Sequence, residues 1–414
     1  MNFLEGISKM PRGTDLSQRK LDYRKRDEGD FPKKLTIVLD KAWDLKYGEN
    51  PGQHGAIYTL KSTGEVDAST IPNLTNLQSI RKDGKGKGGL SMTNVGDITR
   101  AMDTAKFFFE QPTVVIMKHN IVSGFATAHN RNQDLTELFR TTRDTDQLSN
   151  FGGTVLFTRS LDMATAEALY ELYNPGKPGH WFPDVIAAPG FDNGVVDYIQ
   201  GRASRVRIGE FSSLDRLPKF VGDETYGLVS IKEMPTGIVG IQDIYLTGLR
   251  SVRDMITDPM VGNSVVKRDP TPQEAQDLLT AWYLNITGAR SNGVVIVKDG
   301  VSVAMGSGQV ARIEAVTNAL TKGMQKAMDR EGIEYDRLLG ITGYEQLEDN
   351  PFERAGSSSD AFYPYDDCIK TLSRVGVSAT IHPYGSDSDS VVIETANRLG
   401  MAMPASDKRC FGHF

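Results

Sequence analysis

The sequence predicts an α/β protein built from two or more packed lobes. From Leu35 onwards, short runs rich in β-branched residues alternate with amphipathic helical stretches, as in LTIVLD, PTVVIM, GTVLF and DVIAA. At 414 residues the chain is longer than most single domains, and 39% hydrophobic with 24% charged residues is typical of a folded globular protein. We therefore expect strands and helices packed in layers around more than one core.

Composition excludes several classes of protein. A formal net charge of -6 offers no global electrostatic case for nucleic-acid binding. The first twenty residues lack the apolar core of a secretion signal, and no apolar run is long enough to cross a membrane, so we expect a cytoplasmic protein. The two cysteines, Cys368 and Cys410, form no CxxC spacing, which argues against a disulfide scaffold, a cysteine-based zinc site and zinc deaminase chemistry.

The elements of the first lobe follow an N-terminal arm. Residues 11–34 are dense in charged residues and poor in aliphatic ones, which predicts a solvated arm over residues 1–34. Residues 81–94 combine glycines with cations and predict a loop. A helix is expected from about Val95 to Glu110, with Asn94 as its N-cap.

Stronger local signals mark the second lobe. Thr271 and Glu274 form a capping box around Pro272, which predicts a helix. The pair Asp299-Gly300 lies between two β-branched runs and predicts a hairpin, and a further helix is expected from the glycine turn at Gly306 to about Arg330. The expected division is an arm at 1–34, lobes at 35–200 and 261–414, and a connecting segment at 201–260.

Two segments could carry chemistry on position alone. Lys118 and His119 close the apolar run TVVIM, and the carboxyl ends of buried strands are where open α/β sheets bind ligands, although a solvated strand end gives the same pattern. Residues 306–311, GSGQVA, satisfy a relaxed dinucleotide pattern, but the preceding run predicts a hairpin and not the first strand of a βαβ unit. A glycine turn that opens a helix could instead hold an anion, with Arg312 nearby.

Two further segments leave both interpretations open. The aromatic and acidic run at 359–367 fits either a site or an ordinary turn, and the basic C-terminus fits either a site or a frayed tail.

Nine ordered segments together resemble the transformylase domain of the bifunctional AICAR transformylase/IMP cyclohydrolase family. They are LKYGENPGQ at 45–53, LSMTN at 90–94, KH at 118–119, FGG at 151–153, DVIAAPGF at 184–191, RSNGVV at 290–295, GSGQVAR at 306–312, SDAFYPYDD at 359–367 and RCFGH at 409–413. No one of these segments is as specific as the ordered set.

The resemblance implies a fold and a set of partners. It implies two cytidine-deaminase-like α/β lobes in three layers without zinc, and a homodimer whose active sites lie at the subunit interface. Nothing before Leu45 matches the family's cyclohydrolase domain, so we expect ring closure on a separate polypeptide and no IMP cyclohydrolase activity here.

The implied reaction transfers a formyl group from 10-formyltetrahydrofolate, the co-substrate, to the amine of AICAR, with no metal required. Lys118 and His119 match the family's catalytic pair, with His119 as proton acceptor and Lys118 as oxyanion stabiliser or proton donor. Asn292 matches an asparagine that orients the reacting groups.

The remaining matches concern binding. Lys46 and Tyr47 match a phosphate-contacting pair, and Arg409 matches a second phosphate-side arginine. Asp367 matches the acid associated with the folate pterin, and Pro364 of the same segment is expected to bind the folate with it. Further nucleotide-pocket matches are Asn94, Gly152, Asp184 and Arg312, with Phe362 beside the base and His413 near the site in a less defined role.

Three departures from the family pattern bear on binding. Lys46 replaces the usual arginine and so loses a bidentate fork. The run NIVSG follows His119 where the family usually has proline, and the stretch from Ile313 to Gly356 is shorter than in many relatives. Two other function classes stay open at this point: an inactive nucleotide- or folate-binding homologue, and a dinucleotide-dependent oxidoreductase, which is much the weaker.

Overall fold

A ten-stranded mixed β-sheet runs through the centre of the described part of the protein. The structure, a computed structural model, describes residues 13–22, 31–50, 52–60, 78–79, 90–129, 133–146, 148–171, 181–203, 205–211, 214–225, 227–335 and 347–413. The predicted glycine-rich loop lies outside these residues up to residue 89, as do residues 1–12 and 23–30 of the predicted arm.

The large sheet contains parallel and antiparallel pairs. Its strands, in spatial order, are β17 (Ala379–Ile381), β16 (Gly356–Ser359), β14 (Val294–Lys298), β15 (Val301–Gly306), β6 (Ile121–Thr127), β5 (Thr113–Lys118), β7 (Thr154–Phe157), β8 (Val185–Ala188), β9 (Arg207–Glu210) and β4 (Gln78–Ser79). Strand pairs β16–β17, β7–β8 and β8–β9 are parallel and the other neighbours are antiparallel. The predicted α/β class is confirmed.

Smaller sheets and the helices complete the described elements. The remaining strands are β1 (Thr14–Asp15), β12 (Pro259–Val261) and β13 (Ser264–Val265) in one sheet, β2 (Leu39–Asp44) with β3 (Ala56–Leu60), and β10 (Val229–Glu233) with β11 (Val239–Asp243). The helices are α1 (Arg19–Asp22), α2 (Met92–Ala105), α3 (Leu135–Asp144), α4 (Met163–Ala168), α5 (Val195–Arg202), α6 (Pro272–Gly288), α7 (Arg312–Glu331), α8 (Asp367–Arg374) and α9 (Asp389–Arg398). In the described ranges, no helix has both the length and the apolar character that a bilayer crossing demands.

Alternation along the central strands produces three layers. Successive side chains of a strand point to opposite faces, so Val115 and Met117 on β5 pack with α2 and α6, whereas Val114 and Ile116 pack with α3, α4 and α5. Strand β14 shows the same alternation. Its side chains on one face pack with α2 and α6, and those on the other face pack with α7, α8 and α9. Both faces of the sheet are therefore covered, which explains the continuous apolar runs in the sequence.

The described chain contains the same succession of elements twice. Each half runs helix, hairpin, helix, strand, helix, strand, helix, from α2 to α5 and from α6 to α9. The two hairpins meet where β6 pairs with β15 at Ala126 and Val301, so that one sheet continues through both halves. The likeness of these halves to cytidine deaminases, and the predicted boundaries at 35–200 and 261–414, stay predictions.

Matching side chains support the repeat. Helix α2 has Ser91 as N-cap and Asp97 in its second turn; helix α6 has Thr271 and Asp277 at the same positions. In each half the aspartate accepts hydrogen bonds from backbone amides of the hairpin turn, at His119 and Asn120 in the first half and at Asp299 and Gly300 in the second. Each helix is thereby fixed to the hairpin that follows it.

Several predicted elements are confirmed. Helix α6 begins at Pro272 behind the capping box of Thr271 and Glu274. The hairpin at Asp299-Gly300 joins β14 to β15, and the expected helix that runs to about Arg330 is α7. The runs TVVIM, TVLF and VIAA form β5, β7 and β8.

Other predictions at element boundaries were wrong. Helix α2 begins at Met92, so its N-cap is Ser91, and Asn94 is the third helical residue that completes the capping box. It ends at Ala105, before the run Phe107 to Phe109. Of LTIVLD only its last two residues are strand, because β2 pairs with β3 from Leu39 to Asp44.

The N-terminal arm is not wholly solvated. Thr14 and Asp15 pair in parallel with Pro259 and Met260, and Leu16 is 7% exposed. Charge density therefore misled the prediction for residues 13–22, since one buried leucine and backbone pairing are enough to dock a short charged segment.

We expect Gly306→Ala to lower the free energy of unfolding severely, by about 3 kcal/mol or more. A Cβ at this position would lie 1.9 Å from the backbone oxygen of Ala315 in α7, and a backbone oxygen cannot move away cheaply. Urea denaturation followed by circular dichroism measures the loss.

Gly201→Ala is the matched control. Gly201 lies in α5, where an added Cβ would meet no neighbouring atom within 4 Å, so alanine there should be neutral or stabilise by up to about 1 kcal/mol. Equal urea midpoints for the two variants would contradict the close approach of α7 to β15.

Candidate active site

One edge of the large sheet collects the predicted site residues. Strand β5 ends at this edge with Lys118, and the antiparallel partners β7 and β6 begin there. Because β15 is antiparallel to β6 and β14 to β15, the end of β15 and the start of β14 lie at the same edge. The start of β8 and the end of β16 follow from their pairing with β7 and β14.

A tight turn presents His119 at this edge. His119 and Asn120 have φ values of 57° and 61°, which is the geometry of a two-residue hairpin turn between β5 and β6. Asp97 anchors the turn, with 2.7 Å from its Oδ1 to the amide nitrogen of Asn120. Burial raises the pKa of the Asp97 carboxyl, and the hydrogen bonds from the turn amides oppose that rise. The His119 side chain is exposed as a result of the turn.

Lys118 is directed towards the FGG segment. Its Nζ donates to the backbone oxygens of Phe151 at 2.8 Å and Ser149 at 3.3 Å, and lies 5.7 Å from the centre of the Phe151 ring. Gly152 has a φ of 71°, which favours glycine, and a Cβ on Gly153 would lie 2.9 Å from the oxygen of Met117. The two glycines let this segment pass close to the end of β5.

Asp184 lies next to the FGG segment, and the Lys46–Tyr47 pair lies at the start of α2. Asp184 is exposed at the start of β8, and its amide donates to the oxygen of Gly153 at 2.9 Å. The Lys46 amide donates to the oxygen of Leu90 at 3.2 Å, which places the pair beside the N-terminus of α2. Lys46 is exposed, with its Nζ 5.3 Å from the Tyr47 ring centre. Asn94 is buried and its Oδ1 accepts from Ser91, so its amide shapes the helix start.

The second half contributes a network around a buried arginine. Arg312 is 6% exposed; it forms an ion pair with Asp360, and its Nη2 donates to Asn292 Oδ1 at 2.7 Å. The Asn292 amide nitrogen donates to the oxygens of Gln309 and Val310, both at 2.9 Å. Arg312 thus holds the Asn292 carboxamide in one orientation.

The run at 359–367 leaves the end of β16 and turns into α8. Phe362 and Pro364 are half-buried in this turn. Asp367 is the first residue of α8 and its Oδ1 accepts from the amide of Cys368 at 2.7 Å. The Asp367 carboxylate therefore lies at the N-terminus of a helix, where a negative charge interacts favourably with the helix dipole.

The C-terminal segment crosses the same edge. The amide of Cys410 donates to the oxygen of Asp360 at 2.9 Å, and the amide of Gly412 donates to Ser291 Oγ at 3.1 Å. Arg409, just before these two bonds, and His413, just after them, are exposed, and the His413 oxygen accepts from Lys232 Nζ at 2.8 Å. The alternative of a frayed tail is wrong for this segment, because it is bonded to the network around Arg312.

The predicted residues therefore fall into two neighbouring groups. Lys118, His119, Gly152, Asp184 and the Lys46–Tyr47 pair belong to the first half. Asn292, Arg312, the turn at 362–367 and the C-terminal segment belong to the second half. Strands β6 and β15 are neighbours in the sheet, so the start of β6 and the end of β15 lie at the edge that carries both groups.

Sequence reasoning missed the residues that hold these groups in place. Asp360 is 2% exposed and bonds Ser291 Oγ at 2.5 Å besides Arg312, and Asp97 anchors the His119 turn. The available signal was the repeat itself, in which Asp97 and Asp277 stand at matching distances from their helix caps and hairpin turns. Asp360 had no comparable signal, because its partners are remote in the sequence.

A buried histidine adjoins the network. The His382 ring lies 4.0 Å from the Tyr384 ring and 4.9 Å from the Tyr363 ring, centre to centre. Burial, together with the positive charges of Arg19 and Arg312, lowers the pKa of His382 to about 3. His382 is therefore neutral near pH 7, and its Nδ1 accepts from the amide of Tyr384 at 3.3 Å.

The glycine turn at 306–311 does not follow a dinucleotide-binding strand. Strand β15, which precedes it, is antiparallel to both of its neighbours, whereas the fingerprint requires the first strand of a parallel βαβ unit. Within the described ranges, no three histidine, cysteine, aspartate or glutamate side chains cluster in a way that suits a metal ion.

Comparison with known proteins identifies relatives along most of the chain. A family model described as AICARFT/IMPCHase bienzyme matches residues 16–322. The bifunctional purine biosynthesis protein PurH of Persephonella marina is 30% identical over 383 residues, which cover 92% of this chain and 62% of the relative. The proteins of the same description from Magnetococcus marinus and Caldicellulosiruptor bescii are 30% and 29% identical, covering 93% and 94% of this chain and 62% of each relative. The chain thus spans about 62% of the length of these curated relatives.

We expect Asp360→Asn to lower the free energy of unfolding by about 3–5 kcal/mol, because it leaves the Arg312 guanidinium buried without its counter-charge. The double variant Arg312→Met with Asp360→Asn should recover part of this loss. Urea denaturation of the four proteins in the cycle gives the coupling free energy.

Asp44→Asn is the control, since it removes an exposed ion pair with Lys41 and should cost under about 1 kcal/mol. Equal costs for Asp360→Asn and Asp44→Asn would show that the Arg312 pair is not isolated from water.

His382 should make the fold sensitive to acid. The unfolded chain binds a proton at His382 below a pH of about 6.5, whereas the folded protein resists it until about 3, so stability falls as pH decreases through this window. Between pH 7 and pH 5 we expect the wild type to lose about 2 kcal/mol that His382→Gln does not lose.

Urea denaturation at both pH values measures the difference. His54→Gln, at an exposed site, should keep the pH dependence of the wild type. The same acid loss in His382→Gln and in the wild type would contradict the assignment.

Proposed function

The chain belongs to the AICARFT/IMPCHase bienzyme family, and on that premise we propose that it is an AICAR formyltransferase. The proposed reaction moves a formyl group from 10-formyltetrahydrofolate to the 5-amino group of AICAR, which gives FAICAR in de novo purine biosynthesis. The observation that carries the proposal is the hairpin turn that exposes His119 beside Lys118, at the sheet edge where Asn292 also lies.

The chemistry requires a base, an electrophilic aid and an orienting group. The AICAR amine is weakly nucleophilic because it is conjugated with the carboxamide, so a proton must leave as its nitrogen attacks the formyl carbon. His119 accepts that proton, since an imidazole nitrogen can act as a general base and this side chain is exposed to an incoming substrate. The carbon–nitrogen bond to the folate then breaks and the departing folate nitrogen takes up a proton.

Lys118 is placed to act on the other side of the carbonyl. Its ammonium can stabilise the oxyanion of the tetrahedral intermediate or give the leaving nitrogen its proton. Lys118 must first break its bonds to the oxygens of Ser149 and Phe151 before its ammonium can turn to a substrate. The substrate must therefore supply a better acceptor than these two carbonyls. None of these steps requires a metal ion or a covalent intermediate on the enzyme.

Binding roles follow the family pattern residue by residue. We assign Lys46, Tyr47 and Arg409 to the nucleotide phosphate, and Asp367 with Pro364 to the folate pterin. The wider nucleotide pocket is assigned to Asn94, Gly152, Asp184, Arg312 and Phe362, with His413 at its rim. For Asn94 and Arg312 the burial of the side chains supports a shaping role, in which the residue holds the pocket wall.

The proposal extends to partners. It includes a homodimer with active sites at the subunit interface, a separate polypeptide for IMP cyclohydrolase activity, and a cytoplasmic location. The exposed side chains of Val310 and Tyr365, at 94% and 67%, flank the Arg312 network and support a contact with a second copy there.

We expect His119→Ala to reduce formyl transfer by at least about 100-fold while AICAR binding changes little, because the base is lost without a loss of phosphate contacts. Purified protein, AICAR and 10-formyltetrahydrofolate are mixed, and release of tetrahydrofolate is followed by absorbance. Calorimetry measures AICAR binding to both proteins.

His129→Ala is the matched control, because His129 lies after β6 at the opposite edge of the sheet and should leave turnover unchanged. Wild-type turnover in His119→Ala would refute the assigned base. AICAR binding without any turnover by the wild type would instead identify an inactive nucleotide- or folate-binding homologue.

A further inference from the structure

The docked N-terminal segment, residues 13–22, contacts the second half of the protein and contains none of the family's site motifs. Besides the pairing of β1 with β12, the amide of Gly13 donates to Asp258 Oδ2 at 2.6 Å, and the amide of Gly262 donates to Ser17 Oγ at 3.3 Å. Leu16 packs into the core that contains Tyr384 and Met403. The segment is therefore held at both its backbone and its side chains.

Arg19 of this segment joins two other parts of the chain. Its Nη1 donates to the backbone oxygen of Pro383 at 2.6 Å and to that of Ser406 at 2.5 Å. Pro383 belongs to the loop after β17, and Ser406 belongs to the C-terminal segment. Both residues are buried, and hydrogen bonds from a charged donor to buried carbonyls are stronger than neutral ones.

Ser406 lies in the part of the C-terminal segment that is bonded to β17 and to the loop after it. Bridges at Ala402 and Ala405, and the bond from the Ser406 amide to the oxygen of His382 at 3.1 Å, hold the segment up to this point. Beyond it the segment leaves β17 and carries Arg409 across the site edge. The Arg19 contact thus lies where the segment turns towards the site.

The same contact adjoins the Arg312 network. The buried, neutral His382 is close enough to both Arg19 and Arg312 for each charge to act on its pKa, and its ring packs on Tyr363 of the 359–367 run. Past Ser406, the Cys410 and Gly412 amides bond Asp360 and Ser291. A shift of the C-terminal segment would therefore disturb the ion pair that orients Asn292.

We propose that Arg19 is a positioning residue for the nucleotide site, and that the N-terminal segment clamps the C-terminal segment so that Arg409 meets the nucleotide phosphate. The inference rests on the proposed function for its substrate, while the clamp itself is a property of the fold. Arg19 makes no contact with substrate in this mechanism; it acts through Ser406 and the residues that follow.

The test compares Arg19→Met with Lys20→Met. Arg19→Met keeps an extended side chain but removes both charge-assisted bonds, and we expect the KM for AICAR to rise about tenfold with kcat changed less than about twofold. The KM for 10-formyltetrahydrofolate should stay close to the wild-type value. Lys20→Met removes only an exposed ion pair with Asp387 and should leave all three parameters unchanged.

Hydrogen exchange gives a second readout that does not depend on turnover. In Arg19→Met, the amides of Cys410 and Gly412 should lose protection, while amides in the distant strand β8 should keep it. Arg19→Lys, which keeps the charge and a single donor group, should fall between the wild type and Arg19→Met, and it provides the comparison if the methionine variant does not fold.

Each outcome decides one of the two claims. Unchanged KM for AICAR, or unchanged exchange at Cys410 and Gly412, in the arginine variants would overturn the clamp. A similar fall in kcat, folate binding and AICAR binding would assign Arg19 to general stability and would also overturn it. No turnover by the wild type, together with the expected exchange result, would reject the proposed function and retain the clamp.

Discussion

The pairing of β6 with β15 is the contact on which the arrangement of this protein depends. It joins two hairpins of opposite direction, so the turn of the first hairpin and the open end of the second lie at one edge of the sheet. Lys118 and His119 come from the turn, and Asn292 and Arg312 come from the open end. This pairing thereby places the chemical groups of the two halves at the same edge of one sheet.

Buried carboxylates then fix the geometry of the groups at this edge of the sheet. Asp97 binds the amides of the His119 turn, and Asp360 neutralises Arg312, which in turn binds Asn292. A buried carboxylate is costly unless it is paired or accepts several hydrogen bonds, so each of these groups specifies one arrangement of its neighbours. The His119 side chain itself remains exposed because the buried Asp97 behind its turn carries the constraint.

Elements with local signals could be predicted well. The capping box at Thr271, the Asp299-Gly300 turn and the apolar runs of β5, β7 and β8 depend on neighbours within a few residues, and all are present in the structure. The start of α2 was misplaced because Ser91 and Asn94 are both good caps and only the helix geometry distinguishes them. The docking of residues 13–22 was missed because Leu16 has its partners more than two hundred residues away in the sequence.

By itself the sequence determined the α/β class, the order of the site motifs and the family, because these are encoded in local periodicity and in ordered short segments. Only the tertiary structure decided how the site is held together. It paired Arg312 with Asp360, engaged both ends of the Asn292 carboxamide, and set Arg19 against the carbonyls of two other segments. The physical reason is that a buried charge or amide must find its partner in space, and strand pairing brings together residues that the sequence keeps far apart.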